Sequence, residues 1–368
     1  MNQNPLFRPI EMGSQNFSNR IFMAPMTRSR SNNPEQAPTS IHAEYYAQRA
    51  TAGLLITEGT IVSPRATGYI NVPGIFSEKQ TEAWKEVTAA VHKKGGRIFM
   101  QIWHVGRISH PDFHGGELPV APSAINPEAE VYTTNGMTRT VTPQALSIPE
   151  IKDIVRDFRQ AGENAMKAGF DGVEIHASNG YLFHQFFTNC SNQRTDAYGG
   201  SDENKARILF EVIEALTDVM PAEKIGVRLN PMLNGGFGIT ADSKTGKTFE
   251  YIVNRLNDYD LAYLHLSRPF QKQDESWFIA DVIGHFRKIY RGTLVANGNY
   301  DPKSAAEEIA SGRADAVAFG RPFIGNPDLV ARIENGWELS PPDPKTFYTP
   351  GPEGYTDYPV YRESVSAS

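Results

Sequence analysis

Residues 149–176, PEIKDIVRDFRQAGENAMKAGFDGVEIH, carry the pattern that decides the fold. Ile151, Ile154, Val155, Phe158, Ala161 and Ala165 recur at helical spacing and place one apolar stripe on a helix over 149–168. Gly169 stands where that helix should stop. The run 172–176 that follows is short, apolar and suited to a buried strand. Strands buried on both faces pair in parallel, and their helical crossovers are right-handed.

The same unit recurs on either side. Strands are expected at 21–26, 54–61, 98–103, 172–176, 225–229, 262–266, 293–296 and 316–319. Helices are expected at 41–50, 78–94, 149–168, 203–220, 249–259, 279–290, 302–311 and 327–335, in strict alternation with the strands. Ser77 and Asp301 are good N-caps, the second followed by Pro302, and Gly95, Gly312 and Gly336 mark helix ends. Eight such units close into a (β/α)8 TIM barrel; an open doubly wound sheet is the alternative. The whole chain, 1–368, then reads as one domain. One connection is too long for a simple loop. Residues 104–147, after strand 3, alternate over 131–134 and 138–141 around Asn135-Gly136, which suggests a β-hairpin excursion over a barrel mouth. The first 18 and last 30 residues read as irregular.

Composition narrows the function. Of 368 residues, 40 % are hydrophobic and 21 % charged, an ordinary globular balance. Lys+Arg 36 against Asp+Glu 42 gives −6, without the basic excess that nucleic-acid binding favours. No apolar run is long enough for a membrane span. Cys190, the single cysteine, excludes an internal disulfide and a cysteine-based zinc cluster. The start, MNQNPLFRPI, lacks the basic and apolar regions of a secretory signal, so a cytoplasmic protein is expected.

In a TIM barrel the chemistry sits where the strands end. Those ends supply Thr27 and Arg28; Glu58 and Gly59; Gln101, Trp103 and His104; His176, Asn179 and Tyr181; Arg228 and Asn230; His265 and Arg268; Asn297, Gly298 and Asn299; and Gly320 and Arg321. No lysine suits a Schiff base, no carboxylate trio suits magnesium and no acidic pair suits a glycosidase. No metal site is expected, from His104, His110 and His114 or elsewhere. Neutral hydrogen-bonding groups, aromatics and arginines suit a planar polar ligand with a phosphate. The small residues at 298–299 and 320, with Arg321, could hold that phosphate or could simply make tight turns. His176 could face the mouth or be a satisfied core histidine. Glu174 shares its face, would lie inside the barrel and needs a cationic partner, for which Arg228 is the first candidate.

Taken together, several stretches resemble the old yellow enzyme family of FMN-dependent ene-reductases. They are Ala24–Arg28, Gln101–Arg107, His176–Leu182, Ser191–Asp196 with Tyr198–Gly200, Phe319–Arg321, Asn326–Leu329 and Gly354–Pro359. The likeness runs from about Leu6 to Tyr361. It implies tightly bound FMN, with Thr27 near the flavin C4 oxygen, Gln101 at the pyrimidine edge and Arg228 by N1 and O2. Pro25, Met26 and Gly59 would pack on the ring. Arg321, with backbone at Gly298, Asn299 and Gly320, would hold the phosphate.

The resemblance further implies a reductant NAD(P)H, with NADPH favoured, giving hydride to flavin N5. His176 and Asn179 would bind the electron-withdrawing oxygen of an activated alkene such as an enone, maleimide or nitroalkene. Hydride would pass to the β-carbon and Tyr181 would protonate the α-carbon. Nitro and nitrate-ester reduction are further possibilities. Thr27, Tyr69, Trp103 and Tyr348 would wall the substrate space, and 270–278 could form a mobile rim. Gly59 stands where many relatives have Ala, and only slightly altered packing is expected. A monomer or homodimer fits equally. A non-redox isomerase or lyase on a phosphorylated substrate, or a flavin binder without turnover, would have to explain Thr27, Gln101 and Tyr181 otherwise.

Overall fold

The computed structural model describes residues 4–269 and 273–361. Eight parallel strands form the barrel: β1 (Ile21–Met23), β2 (Leu54–Ile56), β3 (Ile98–Trp103), β4 (Gly172–His176), β5 (Ile225–Leu229), β6 (Tyr263–Ser267), β7 (Leu294–Asn297) and β8 (Ala316–Phe319). Each pairs with its neighbours in chain order, and β8 returns to β1, so the sheet is closed and the open-sheet alternative falls. The outer helices are α1 (Ser40–Gln48), α2 (Glu78–Lys93), α3 (Ile148–Lys167), α4 (Asp202–Thr217), α5 (Thr245–Leu256), α6 (Val282–Arg287), α7 (Pro302–Ala310) and α8 (Leu329–Asn335).

The caps act as expected. The Ser77 side chain accepts from the Gln80 amide and that of Asp301 from the Ser304 amide. The α3 stripe buries Ile151, Ile154, Phe158, Ala161 and Ala165 against the barrel.

Several boundaries move. The first expected strand ends at Met23, three residues early. The second breaks at 57–59, where the Glu58 amide bonds the Tyr46 hydroxyl, and resumes at Thr60–Ile61. The excursion does contain a hairpin, Glu130–Thr133 against Gly136–Arg139. Its tip is Thr134-Asn135 rather than Asn135-Gly136, because Thr133 pairs with Gly136. The N-terminal segment is not irregular. Ile10–Met12 and Gln15–Phe17 form a hairpin whose Ile10, Met12 and Phe17 join Phe22, Leu54, Ile56, Phe99, Val295 and Ala316 in a core inside the barrel. Two short helices were not foreseen, Leu182–Phe187 and Arg321–Gly325. Of the expected rim 270–278, residues 270–272 lie outside the described residues.

Candidate active site

β4 ends at His176, which is buried. Its Nδ1 lies 3.0 Å from the Ser178 hydroxyl, leaving Nε2 for a ligand. Burial, reinforced by the charges of Arg228, His265 and His184, pushes the imidazole well below its ordinary range and keeps it neutral. The chain then reverses through Asn179 and Gly180, both left-handed at φ 55° and 80°. Glycine adopts this freely and asparagine better than most residues. The turn delivers Tyr181 to the start of the short helix Leu182–Phe187, with its ring 5.0 Å from His176 and nearly perpendicular to it.

Trp103, at the end of β3, meets both residues: it stacks on His176 at 5.8 Å and meets Tyr181 edge-on at 4.8 Å. Tyr69 packs on Trp103 at 5.2 Å and brings its hydroxyl within 2.8 Å of that of Tyr181. Burial, then the neighbouring Tyr69 phenol, pushes the Tyr181 hydroxyl well above its usual range, so it keeps its proton. His176, Tyr181, Trp103 and Tyr69 thus form one contacting group, and Asn179 lies in the turn between His176 and Tyr181. Tyr348 is exposed and packs edge-on against Phe347. Among the described residues it makes no ring contact with Tyr69 or Tyr181.

Two residues here escaped the sequence reading. Phe237, in the loop after β5, holds a left-handed backbone (φ 52°) and sets its ring 5.6 Å from Tyr181; its neighbours Gly235 and Gly236 are the only hint. Asn230, noted at a strand end but given no role, donates to Asn179 at 3.2 Å.

The partner expected for Glu174 is corrected. Its Oε2 lies 2.8 Å from His265 Nδ1, and its Oε1 accepts from Gln101 Nε2 at 2.8 Å. Burial raises this carboxyl, but His265 and Arg228 hold it below the usual range overall. Arg228 acts on it only through space, because the guanidinium donates to Ser267 (3.3 Å) and Asn297 (3.1 Å). Arg228 Nε is buried without a partner.

That buried cation with an unsatisfied Nε is the feature that fits an anionic planar group, since among the described residues no carboxylate is hydrogen-bonded to it. Gln101 keeps its Oε1 free of the Glu174 contact and can accept a ring N–H. Pro25 is buried and Met26 and Thr27 half-buried at the end of β1. After β7, at the same mouth, Gly298 and Asn299 both have positive φ, at 119° and 54°. Asn299 and Arg321 are exposed, and neither side chain has a partner among the described residues. This donor set suits a phosphate. Gly59 is less simple than expected. A Cβ there would lie 2.5 Å from the Trp103 ring, so the missing methyl makes room for the indole.

A closed (β/α)8 barrel whose mouth combines an unpaired arginine, a free amide edge and an aromatic wall defines a flavin-binding oxidoreductase. The comparisons agree. The family model described as "NADH:flavin oxidoreductase / NADH oxidase family" matches residues 5–340, and the chain belongs to that FMN-binding family. It is 43 % identical over 366 residues to 12-oxophytodienoate reductase 1 of Oryza sativa, covering 98 % of this chain and 94 % of that one. Morphinone reductase in complex with tetrahydroNAD superposes with a TM-score of 0.91 at 45 % identity, covering 97 % and 98 % of the two chains. The old yellow enzyme homologue from Zymomonas mobilis gives 0.91 at 42 %, covering 97 % and 99 %. The protein is therefore an ene-reductase-type flavoenzyme, and the non-redox alternative falls. Among the described residues no helix is long and apolar enough to cross a membrane, and no cluster of side chains could hold a metal.

Proposed function

We propose that the enzyme reduces activated alkenes (enones, maleimides or nitroalkenes) with NAD(P)H, NADPH being favoured. The carrying observation is the meeting of a neutral His176 and a protonated Tyr181 within one aromatic-walled mouth, with Asn179 in the turn between them. Bound FMN supplies hydride chemistry, accepted from nicotinamide and passed on to the alkene. Thr27, Gln101 and Arg228 would hold the ring, with Pro25, Met26 and Gly59 packed against it. Arg321 and the backbone at Gly298, Asn299 and Gly320 would hold the phosphate.

The chain's own residues do the rest. His176 donates Nε2–H and Asn179 its NH2 to the substrate's carbonyl or nitro oxygen, lowering the cost of charge developing there. Tyr181 holds a proton at its phenol oxygen and delivers it to the α-carbon. Arg228 favours negative charge on the group it faces. Trp103, Tyr69 and Thr27 shape the substrate space, with Tyr348 at its outer rim. Nitro and nitrate-ester reduction belong to the same reading, as do a cytoplasmic location and a monomer or homodimer. Residues 1–368 would act as one FMN-binding unit, with 104–147 over the mouth.

Tyr181→Phe tests the assignment. Rapid mixing with NADPH should reduce the flavin of the variant at the normal rate, whereas reoxidation by 2-cyclohexen-1-one should slow by about 10²-fold or more. Loss of the reductive step instead would overturn the role given to Tyr181.

A further inference from the structure

Asn230 directly follows β5 and is fully buried at the barrel mouth. Its Nδ2 donates to Asn179 Oδ1 at 3.2 Å, while its own Oδ1 is buried with no partner. We infer that Asn230 is a positioning residue that decides which end of the Asn179 carboxamide the substrate meets. The inference rests on the role proposed for Asn179.

The two ends of a carboxamide have nearly the same shape and opposite polarity. The terminal torsion of asparagine is broad and roughly two-fold, so the fixed backbone of Asn179 does not choose between them. Only the NH2 end can stabilise negative charge on a substrate oxygen. The oxygen end would repel it. A donor held against Asn179 Oδ1 removes the second choice and leaves the NH2 group facing the mouth. Asn230 is that donor. His176 provides the matching element: with Nδ1 accepting from the Ser178 hydroxyl 3.0 Å away, a neutral ring would carry its proton on Nε2 and offer the same kind of group to the same oxygen. The stranded Oδ1 of Asn230 argues against a purely space-filling role. A leucine or valine would fill the position without leaving a buried acceptor unsatisfied.

The consequence is an interaction between residues 230 and 179 that a structural role would not produce. Asn230→Ala and Asn230→Asp are each made alone and with Asn179→Ala, and purified as holoenzymes. Flavin reduced with NADPH is reoxidised by 2-cyclohexen-1-one, and separately by oxygen, which has no carbonyl for Asn179 to bind. Asn230→Ala is expected to weaken the enone step roughly tenfold. Asn230→Asp, of the same size but able only to accept when ionised, is expected to weaken it further by turning the Asn179 oxygen outward. With Asn179 already removed, each substitution should change the enone step by no more than about twofold. Flavin content and the oxygen reaction should stay level throughout. An equal loss from Asn230 substitution in the Asn179→Ala background would overturn the inference and leave the Asn179 role standing, as would a parallel fall in the oxygen reaction. An unimpaired enone step in Asn179→Ala alone would overturn that role and this inference with it. Asn230→Asp carries the test if Asn230→Ala does not fold.

Discussion

The phenol oxygens of Tyr69 and Tyr181 lie 2.8 Å apart, in a hydrogen bond that either can donate. Tyr181 is buried and Tyr69 half-buried beside Trp103, and desolvation raises both, Tyr69 to about 12. Each therefore stays protonated at neutral pH. A phenol that has given up its proton to a carbon must regain one, and Tyr69 is the nearest oxygen from which it can be steadied or resupplied. Tyr69→Phe removes this partner but keeps the ring packing. The alkene half-reaction is expected to slow about tenfold, the worth of one hydrogen bond, with flavin reduction unchanged. Stopped-flow traces of both half-reactions check it. An unchanged alkene step would show that Tyr181 needs no help from Tyr69.

Arg228 has a buried guanidinium with an unpartnered Nε and no carboxylate bonded to it. Such a charge favours whichever redox state of a neighbouring ring carries more negative charge. Arg228→Met should therefore lower the midpoint potential of the bound flavin by about 30–60 mV, one to two decades for a two-electron couple. It should also loosen flavin binding. Equilibrium photoreduction against a reference dye measures the shift. A potential that stays put or rises would remove Arg228 from the role given to it.

The fold was legible because its signals are local. Strand apolarity, helix stripes and caps such as Ser77 and Asp301 each act within a few residues. The resemblance then located Trp103, His176, Asn179 and Tyr181, whose meeting no local rule foretells. The partner of Glu174 was misread because it is set by strand register, which the sequence does not print. Glu174 pairs with Gly226 on β5, and Gly226 pairs with Tyr263 on β6. A Cβ at Gly226 would lie 2.4 Å from the Tyr263 ring, so the glycine makes room for that ring, while the carboxylate reaches His265, two strands away. Arg228 sits two residues further along β5, opposite His176. The N-terminal hairpin was missed although Gly13, at φ 58°, starts its two-residue turn. Each of its strands is three residues long, too short to show alternation.

Gly59 gives a packing test. An added methyl would lie 2.5 Å from Trp103 Cε3 and 2.9 Å from Cδ2, closer than real contacts allow. The indole would have to move, and it touches His176, Tyr181 and Tyr69. Gly59→Ala is expected to cost about 1–3 kcal/mol of stability by overpacking and to raise the KM for bulky enones more than for small ones. Thermal unfolding and a small panel of cyclic enones check both effects. A fully stable variant with unchanged selectivity would mean that Trp103 has room to yield.

Acid stability should be set in part by His42, His104 and His184, three of the buried histidines. Burial depresses His42 to about 4 and His104 and His184 to about 3. In each, Nδ1 accepts a backbone N–H, from Thr39, Gly106 and Gly180 respectively, so a proton placed there would break that bond. An unfolded histidine binds its proton near pH 6.5. Between that pH and about 4 these three positions therefore hold up to three more protons in the unfolded chain than in the native one, and their contribution falls as pH falls; Glu58, raised by burial to about 7, works in the opposite sense. The stabilisation is complete above about pH 6.5. By pH 5 each histidine should remove about 2 kcal/mol, roughly 6 kcal/mol together. Urea unfolding at pH 7.5, 6 and 5 measures the slope, and His184→Gln should flatten it by about one proton. A slope that His184→Gln leaves unchanged would show that this imidazole titrates in the native state.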